Sequence, residues 1–301
     1  IITELPQPRG TVTALALDAL LENLYVGTAD GQVVHVALSE TESPEMRAAY
    51  TVAASSTAVT TLGFLSGDRS LVVMTADGAV STWGLVRRAD APSGWTLIQI
   101  HTLRAHNAPV TAFAPSQRVK GFVTGDMKGN LFLHHATSSQ TLLRLANSEF
   151  PIRAVAFAPK GDGLIALDGA GQLSLYQVQN AYPEVTLETL FGKIWYEGYD
   201  QPAHVWQSSS GSDDVEPKLG LLPLAFGTLK GTMYALFLAV PIAILAAMCT
   251  SQFMHQDLRA KIKPIIEVMA ALPTVVLGFL AGLWLAPLLE RMLPAVAAMA
   301  L

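Results

Sequence analysis

Four segments of the chain repeat one alternation of apolar and polar positions. They read TVTALAL (11–17), AVTTLGF (58–64), PVTAFAP (109–115) and PIRAVAF (151–157). Alternate apolar residues predict strands with one buried face. Each segment is followed by an apolar run, a glycine-containing turn and another short run, and the turn glycines are Gly31, Gly78, Gly129 and Gly171. Glycine between such runs supplies the positive φ of a tight hairpin, so each repeat predicts a small antiparallel sheet.

The spacing of the repeats indicates the architecture. The turn glycines are 47, 51 and 42 residues apart, and three or four strands in about 40–50 residues is the period of a propeller blade. The segments resemble degenerate WD40-like blades: His106 stands where that repeat has its Gly-His element, and Trp83-Gly84 stands where it has Trp-Asp. Residues 1–189 are therefore expected to form about four blades. Because four is near the lower limit for a closed ring, we expect them to belong to a larger ring with blades upstream.

The second half of the chain changes in character. Residues 190–217 are an aromatic-rich connector followed by a polar linker. Residues 231–254 and 268–289 then contain no Lys, Arg, Asp or Glu. Since about 20 apolar residues cross a bilayer as a helix, residues 218–301 predict a membrane domain with helices at about 225–252 and 265–289. The chain is thus mainly β, followed by transmembrane helices.

Composition and charge divide the chain at the same place. Residues 1–217 contain 13 cations and 21 acids, a net charge of −8, whereas residues 218–301 carry +3. Neither part has the basic surface that nucleic-acid binding requires. The basic loop between the two predicted spans is expected in the cytoplasm by the positive-inside rule. The propeller is then expected on the opposite face, which is the periplasm of a bacterium.

Three motifs in residues 218–289 resemble the permease subunit of a bacterial phosphate ABC importer. They are G-x-x-P-x-x-x-G-T (220–228), A-V-P-I-A (239–243) and E-x-x-A-A-x-P-x-x-x-x-G (267–278). The resemblance implies an inner-membrane transport subunit enlarged by a propeller in its first periplasmic loop. Its implied partners are a second permease, ATPase subunits, a periplasmic phosphate-binding protein and membrane lipid. The family's first transmembrane helix is expected before Ile1, and its ATPase-docking segment after Leu301.

Several residues of the membrane segments are candidates for a role in transport. Lys230, the one charge in residues 219–254, is either a cation of the translocation path or a lysine that snorkels to the interface. The hinge candidates are Pro241, Pro273 and Gly278. The candidates for the cytoplasmic loop, which faces the ATPase, are Arg259, Lys261, Lys263 and Glu267. The three cations set topology, meet the ATPase or meet anionic lipid, and Glu267 is expected to brace Lys263 four residues earlier.

No motif predicts catalysis, a cofactor or a metal site. The sequence lacks GxSxG, GxGxxG, HExxH and the Walker A pattern, so ATP hydrolysis is expected in a separate chain. A single cysteine, Cys249, excludes a disulfide within the chain. His134 and His135 are adjacent in a predicted strand and point to opposite faces, so together with His106 they are expected to be structural. Asp213, Asp214 and Glu216 are expected in a solvated linker.

Two alternatives to a phosphate permease stay open. In the first, the propeller is an envelope protein-interaction or sensing module and the helices only anchor it in the membrane. In the second, the protein is a permease for another oxyanion such as phosphonate, sulfate or molybdate. The role of the propeller is not indicated by any motif.

Overall fold

The computed structural model describes residues 7–38, 44–54, 57–89, 91, 94–146, 148–209 and 215–299. The chain divides into two compact units, Ile1–Gly227 and Thr228–Leu301. The first consists mainly of antiparallel sheets, and the second is helical within the described residues. The prediction of a mainly β part followed by apolar helices is confirmed.

Four antiparallel sheets follow one another along the first unit, and in each the strands pair in sequence order. The first contains β1 (Val12–Leu17), β2 (Asn23–Thr28), β3 (Gln32–Ala37) and β4 (Glu45–Thr51). The second contains β5 (Val59–Phe64), β6 (Ser70–Thr75), β7 (Val80–Arg87) and β8 (Trp95–Leu103). The third contains β9 (Val110–Pro115), β10 (Gly121–Asp126), β11 (Asn130–His135) and β12 (Gln140–Ala146). The fourth, of three strands, contains β13 (Ile152–Phe157), β14 (Gly163–Asp168) and β15 (Leu173–Gln177).

The sheets stack face to face along an arc. The first strands β1, β5, β9 and β13 are neighbours in that order, which is how successive blades of a β-propeller meet at the inner edge. Threonines at matching positions of the first strands contribute to two of these junctions. The Thr13 hydroxyl donates to the Val59 carbonyl at 2.6 Å, and the Thr111 hydroxyl donates to the Ile152 carbonyl at 2.5 Å. Thr60 instead bonds within its own sheet, to Met74.

The turn glycines behave as the repeats predict. All four have φ between +77° and +86°, a region that side chains with a Cβ rarely adopt. Three of them also lie against the backbone that leads into the following sheet. A Cβ on Gly31 would be 2.7 Å from the Ala54 carbonyl oxygen, one on Gly78 would be 2.4 Å from that of His106, and one on Gly129 would be 2.0 Å from that of Ser148. Glycine therefore allows both the turn and the close stacking of adjacent sheets.

The hydrophobic core lies between the sheets. One cluster joins the first and second sheets through residues such as Tyr25, Val33, Val73 and Trp83, and similar clusters fill the second and third junctions. The fourth sheet buries Leu164 and Ala166 against the third. Alternate residues point the other way, and these include Ile165, Leu173 and Leu175, which are exposed. A further sheet would cover this apolar face in a longer arc.

The segment after the fourth sheet is folded as part of the first unit. It contains a short helix, α1 (Leu187–Phe191), and a two-stranded pair, β16 (Trp206–Gln207) with β17 (Lys218–Leu219). Thr186 caps α1 in a reciprocal capping box with Thr189. The Leu221 amide, which directly precedes the long apolar helix, donates to the Leu190 carbonyl at 2.8 Å.

The helical region is divided differently from the prediction. It contains α2 (Leu222–Met248), a π-helical turn (Cys249–Phe253), α3 (Gln256–Ala271), α4 (Thr274–Leu280), a second π-helical turn (Ala281–Leu285) and α5 (Ala286–Met299). Two stretches are long and apolar enough to cross a membrane, Leu222–Phe253 and Thr274–Met292. The predicted continuous helix at 265–289 is wrong, because the backbone is extended at Leu272 and Pro273.

Candidate functional site

Lys230 lies in the third turn of α2 and its side chain is exposed. Its ammonium nitrogen is 5.7 Å from the centre of the Tyr234 ring, one helical turn later, in cation–π geometry. The helix has no buried residue. The structure therefore gives Lys230 an aromatic neighbour on its own helix. Its function in the translocation path stays a prediction.

The three hinge candidates have different local structures. Pro241 lies inside α2, which continues past it. Pro273 has φ −60° and ψ 120° and separates α3 from α4. Gly278 lies within α4, three residues before a π-helical turn, and nothing is within 4 Å of a Cβ placed on it. Of the three, Pro273 coincides with a break in the helical backbone.

The predicted cytoplasmic loop is largely a helix. Arg259, Lys261, Lys263 and Glu267 all lie in α3 and are exposed. Lys263 and Glu267 are one turn apart, but the part of the chain that the structure describes shows no ion pair between them. The brace between these two exposed residues stays a prediction.

Two buried histidines, His106 in the connection before β9 and His134 in β11, belong to a hydrogen-bonded chain at the third sheet. His106 contacts the Asp126 carboxylate through Nδ1 at 3.0 Å and the Thr124 hydroxyl through Nε2 at 2.7 Å. Thr124 also contacts Nε2 of His134 at 3.0 Å. Burial lowers the pKa of His134 to about 3 and also lowers that of His106. The side chains of His106 and Asp126 are fully buried, so a substrate has no access to this hydrogen-bonded chain. Its role is therefore to stabilise the third sheet.

The remaining histidine of the adjacent pair has separate partners. His135 contacts the Ser138 hydroxyl through Nδ1 at 2.9 Å, and burial lowers its pKa to about 4. Among the described residues no group of three or more His, Cys, Asp or Glu side chains is placed to hold a metal ion.

The connector is fastened to the second and third sheets by a buried charge cluster, which we define as Lys120, Glu197 and Glu216. Lys120 Nζ is 2.7 Å from Glu197 Oε2, with 3% and 9% of the two side chains exposed. Glu197 also accepts from the Ser70 hydroxyl at 2.6 Å, and Lys120 donates to the Ser66 carbonyl. An ion pair so far out of water requires these added hydrogen bonds.

Glu216 is the third member of the charge cluster, and the expectation that it is solvated is wrong. It is 6% exposed. Its carboxylate accepts from the Glu197 amide at 2.6 Å and from the Thr137 hydroxyl. Burial, and secondarily the Glu197 carboxylate, raise the pKa of Glu216. Asp213 and Asp214 lie outside the described residues.

A cation also stabilises the base of the connector. Lys218 Nζ donates to the Gln207 side-chain oxygen at 2.8 Å and lies 5.8 and 5.7 Å from the ring centres of Tyr196 and Tyr199. The motif glycine Gly220 lies two residues later. Its amide donates to the Val205 carbonyl at 2.9 Å, and a Cβ there would be 2.8 Å from the same oxygen. Glycine at 220 thus permits close contact between the connector and the residues that precede α2.

Sequence reasoning missed the charge cluster. Its contacts with the sheets join residues 77, 79 and 127 positions apart, and no local spacing signals such pairs. The aromatic richness of residues 190–217 was the available signal, since Trp195 and Tyr196 are characteristic of a packed segment rather than a free linker.

Comparison with known proteins gives one curated relative. It is 30% identical over 78 residues and comes from Bacillus subtilis (strain 168). It is named "Probable ABC transporter permease protein YqgH". Part of this chain is therefore similar to an ABC transporter permease. The match covers 26% of this chain and 25% of the relative, so the chain spans about a quarter of that protein's length. No protein-family model matches.

Solved structures similar to the chain include three with a TM-score of 0.48. The designed Ika4 protein is 20% identical and is matched over 59% of this chain and 97% of its own. The designed Ika8 protein is 20% identical over 58% and 48%. The β-propeller domain of Cps50 (Swd1) from Myceliophteria thermophila is 17% identical over 56% and 51%. The strand order and the stacking of the four sheets define the arc independently of these likenesses.

Proposed function

We propose that the chain belongs to the permease subunit of an ATP-driven phosphate importer. The observation that carries the proposal is the similarity to an ABC transporter permease, taken together with three phosphate-permease-like motifs at and around the apolar helices. Motif residues Gly220 and Pro223 lie at the start of α2, Ala239–Ala243 lie within it, and Glu267 and Gly278 flank the break at Pro273.

In this proposal the helices form part of the path for the anion and do no covalent chemistry. Lys230 offers a cation near the outer end of α2 that attracts phosphate. A Cβ placed on Gly227 or Gly278 would meet nothing within 4 Å, and small exposed residues let a second permease subunit pack closely. ATP hydrolysis takes place in separate subunits, and a periplasmic binding protein delivers the substrate.

The charge distribution supports an orientation. α3 contributes three cations between the two membrane-length stretches, so this region lies on the cytoplasmic side of an inner membrane. The sheets, which precede α2, then lie in the periplasm. The charge cluster fastens the connector to the sheets at Glu197 and Glu216.

The test is uptake of labelled phosphate by cells that lack the gene and carry either the full-length gene or an empty vector. The expected result is ATP-dependent uptake that the full-length gene restores and excess sulfate does not reduce. A matched variant reorders the apolar residues of 239–278 while preserving their composition, and it is expected to insert without restoring uptake.

Other outcomes identify the alternatives. Uptake that sulfate or phosphonate abolishes would show a permease for another oxyanion. Full function of the reordered variant would show that the helices only anchor a propeller that binds or senses an envelope partner. If the protein transports phosphate, Lys230→Gln is expected to raise KM for phosphate, whereas Lys230→Arg is expected to preserve it. The same KM in Lys230→Gln as in the unchanged protein would show that Lys230 only snorkels to the membrane interface.

A further inference from the structure

We propose that α3 lies in the plane of the membrane as an interfacial helix, and that Arg259, Lys261 and Lys263 bind the headgroups of anionic lipids. The inference rests on the membrane crossing of the stretches on either side of α3, which is part of the proposed function, but it does not depend on which solute is carried. The source of the anion is the lipid of the cytoplasmic leaflet.

Backbone geometry makes α3 a separate element. Met254 and His255 before it have ψ of 133° and 147°, and Leu272 and Pro273 after it have ψ of 137° and 120°. The extended residues at both ends disconnect its axis from those of α2 and α4. At about 1.5 Å per residue its 16 residues span roughly 24 Å, short of a hydrocarbon core of about 30 Å. α3 is therefore unsuited to crossing the bilayer.

One side of α3 is an apolar stripe. Leu258, Ile262, Ile265 and Met269 recur at intervals of four, three and four residues, which places them on a single helical face. Leu258, Ile265 and Met269 are 51%, 58% and 62% exposed. A stripe of this kind needs an apolar surface to cover it, because its exposure to water is unfavourable.

Two of the cations border this stripe. At 100° per residue, Arg259 lies about 90° to one side of its centre and Lys261 about 70° to the other. Lys263 lies further round on the Arg259 side, about 130° from the centre, and Glu267 lies near the middle of the opposite face. The described residues show no ion pair for any of the three cations. At a membrane surface the apolar stripe would contact the acyl chains, and the aliphatic stems of the bordering cations would lie beside it. Their charged ends would then reach the anionic headgroups, while Glu267 would face water.

A lipid surface accounts for both features of α3 together. An ATPase that docked on the charged side would leave the apolar stripe uncovered. A helix packed against the stripe would leave the three cations of α3 without an acid. Each Lys or Arg close to an anionic membrane surface strengthens binding roughly fivefold.

The experiment uses full-length protein with Cys249→Ala, labelled with a nitroxide at Ile262→Cys or at Glu267→Cys. It is reconstituted in nanodiscs of phosphatidylcholine with or without phosphatidylglycerol. The Ile262 label is expected to be relaxed by oxygen and protected from a water-soluble nickel chelate, and the Glu267 label is expected to show the reverse. Met269→Cys is a second stripe position for the case in which the first variant does not fold.

The charge is tested in the same discs. Lys261→Gln is expected to lower the ratio of membrane-bound to detached α3 roughly fivefold when phosphatidylglycerol is present, whereas Glu267→Gln is not expected to lower it. A stripe label shielded from both reagents would show a protein partner instead and overturn the proposal. So would a stripe label open to the nickel chelate, or equal ratios with and without the anionic lipid. Because phosphate uptake is not measured, failure of the transport proposal is a separate result.

Discussion

Replacing Lys120 with methionine tests whether the charge cluster fixes the connector to the sheets. The substitution keeps a long apolar stem and removes the ammonium group, which is 2.7 Å from Glu197 Oε2 and also donates to the Ser66 carbonyl. Glu197 is then left buried without its cation, beside Glu216, whose carboxylate accepts from the Glu197 amide. Removing one partner of a buried ion pair costs about 3–5 kcal/mol. We expect the free energy of unfolding to fall by that amount.

The assay is urea unfolding of the full chain in detergent, monitored by tryptophan fluorescence. Four of the five tryptophans precede Gly227, and Trp195 lies in the connector itself, where its indole donates to the Tyr199 carbonyl at 2.8 Å. The matched control is Lys160→Met, which removes an exposed lysine from the same unit and is expected to change stability by less than about 0.5 kcal/mol.

A double variant distinguishes lost charge pairing from lost packing. Lys120→Met with Glu197→Gln removes both charges of the pair while Gln still accepts from the Ser70 hydroxyl, so it is expected to recover part of the loss. If Lys120→Met is no more destabilising than Lys160→Met, the cluster does not hold the connector and the reasoning from burial is refuted.

Two further predictions concern the same unit. Burial raises the pKa of Glu216, so the folded state binds its proton more tightly than the unfolded state, and stability is expected to fall as pH rises from about 4.5 through the higher folded value. In the Glu216→Gln variant the free energy of unfolding, measured by urea unfolding at successive pH values, should depend less on pH across that range. An unchanged pH dependence would contradict this. Thr124→Val removes a hydroxyl that contacts both His106 and His134 and is expected to cost about 1–3 kcal/mol per orphaned ring nitrogen. A loss below about 0.5 kcal/mol, measured by thermal unfolding, would show that the buried chain is not needed, since ordinary surface changes are of that size.

Local periodicity made the architecture of the first unit predictable. Alternation of apolar residues requires a buried face on each strand, and a glycine between two strands requires a turn. Gly31, Gly78, Gly129 and Gly171 accordingly adopt positive φ in the structure. These signals lie within a few residues of one another, so one sequence reveals them. The same holds for the two apolar stretches, because their length and lack of charge are local properties.

Element boundaries in the helical region were less predictable. The apolar run at 268–289 suggested one continuous span, but the backbone turns at Leu272 and Pro273. Proline disfavours the helical conformation of the residue before it, so the sequence did contain a signal for a break at Leu272. The prediction relied on hydropathy instead, and hydropathy gives the extent of an apolar run without showing where a helix begins and ends.

The sequence by itself determined the repeated sheets, the order of the parts and the resemblance of the last 85 or so residues to a permease. Only the tertiary structure decided that the connector is folded, that Glu216 is buried, and that Lys120 pairs with Glu197 across 77 positions. The physical reason is the range of each interaction. Strand, turn and membrane-span propensities are written into neighbouring residues, whereas a buried ion pair depends on which distant surfaces the fold brings together and removes from water.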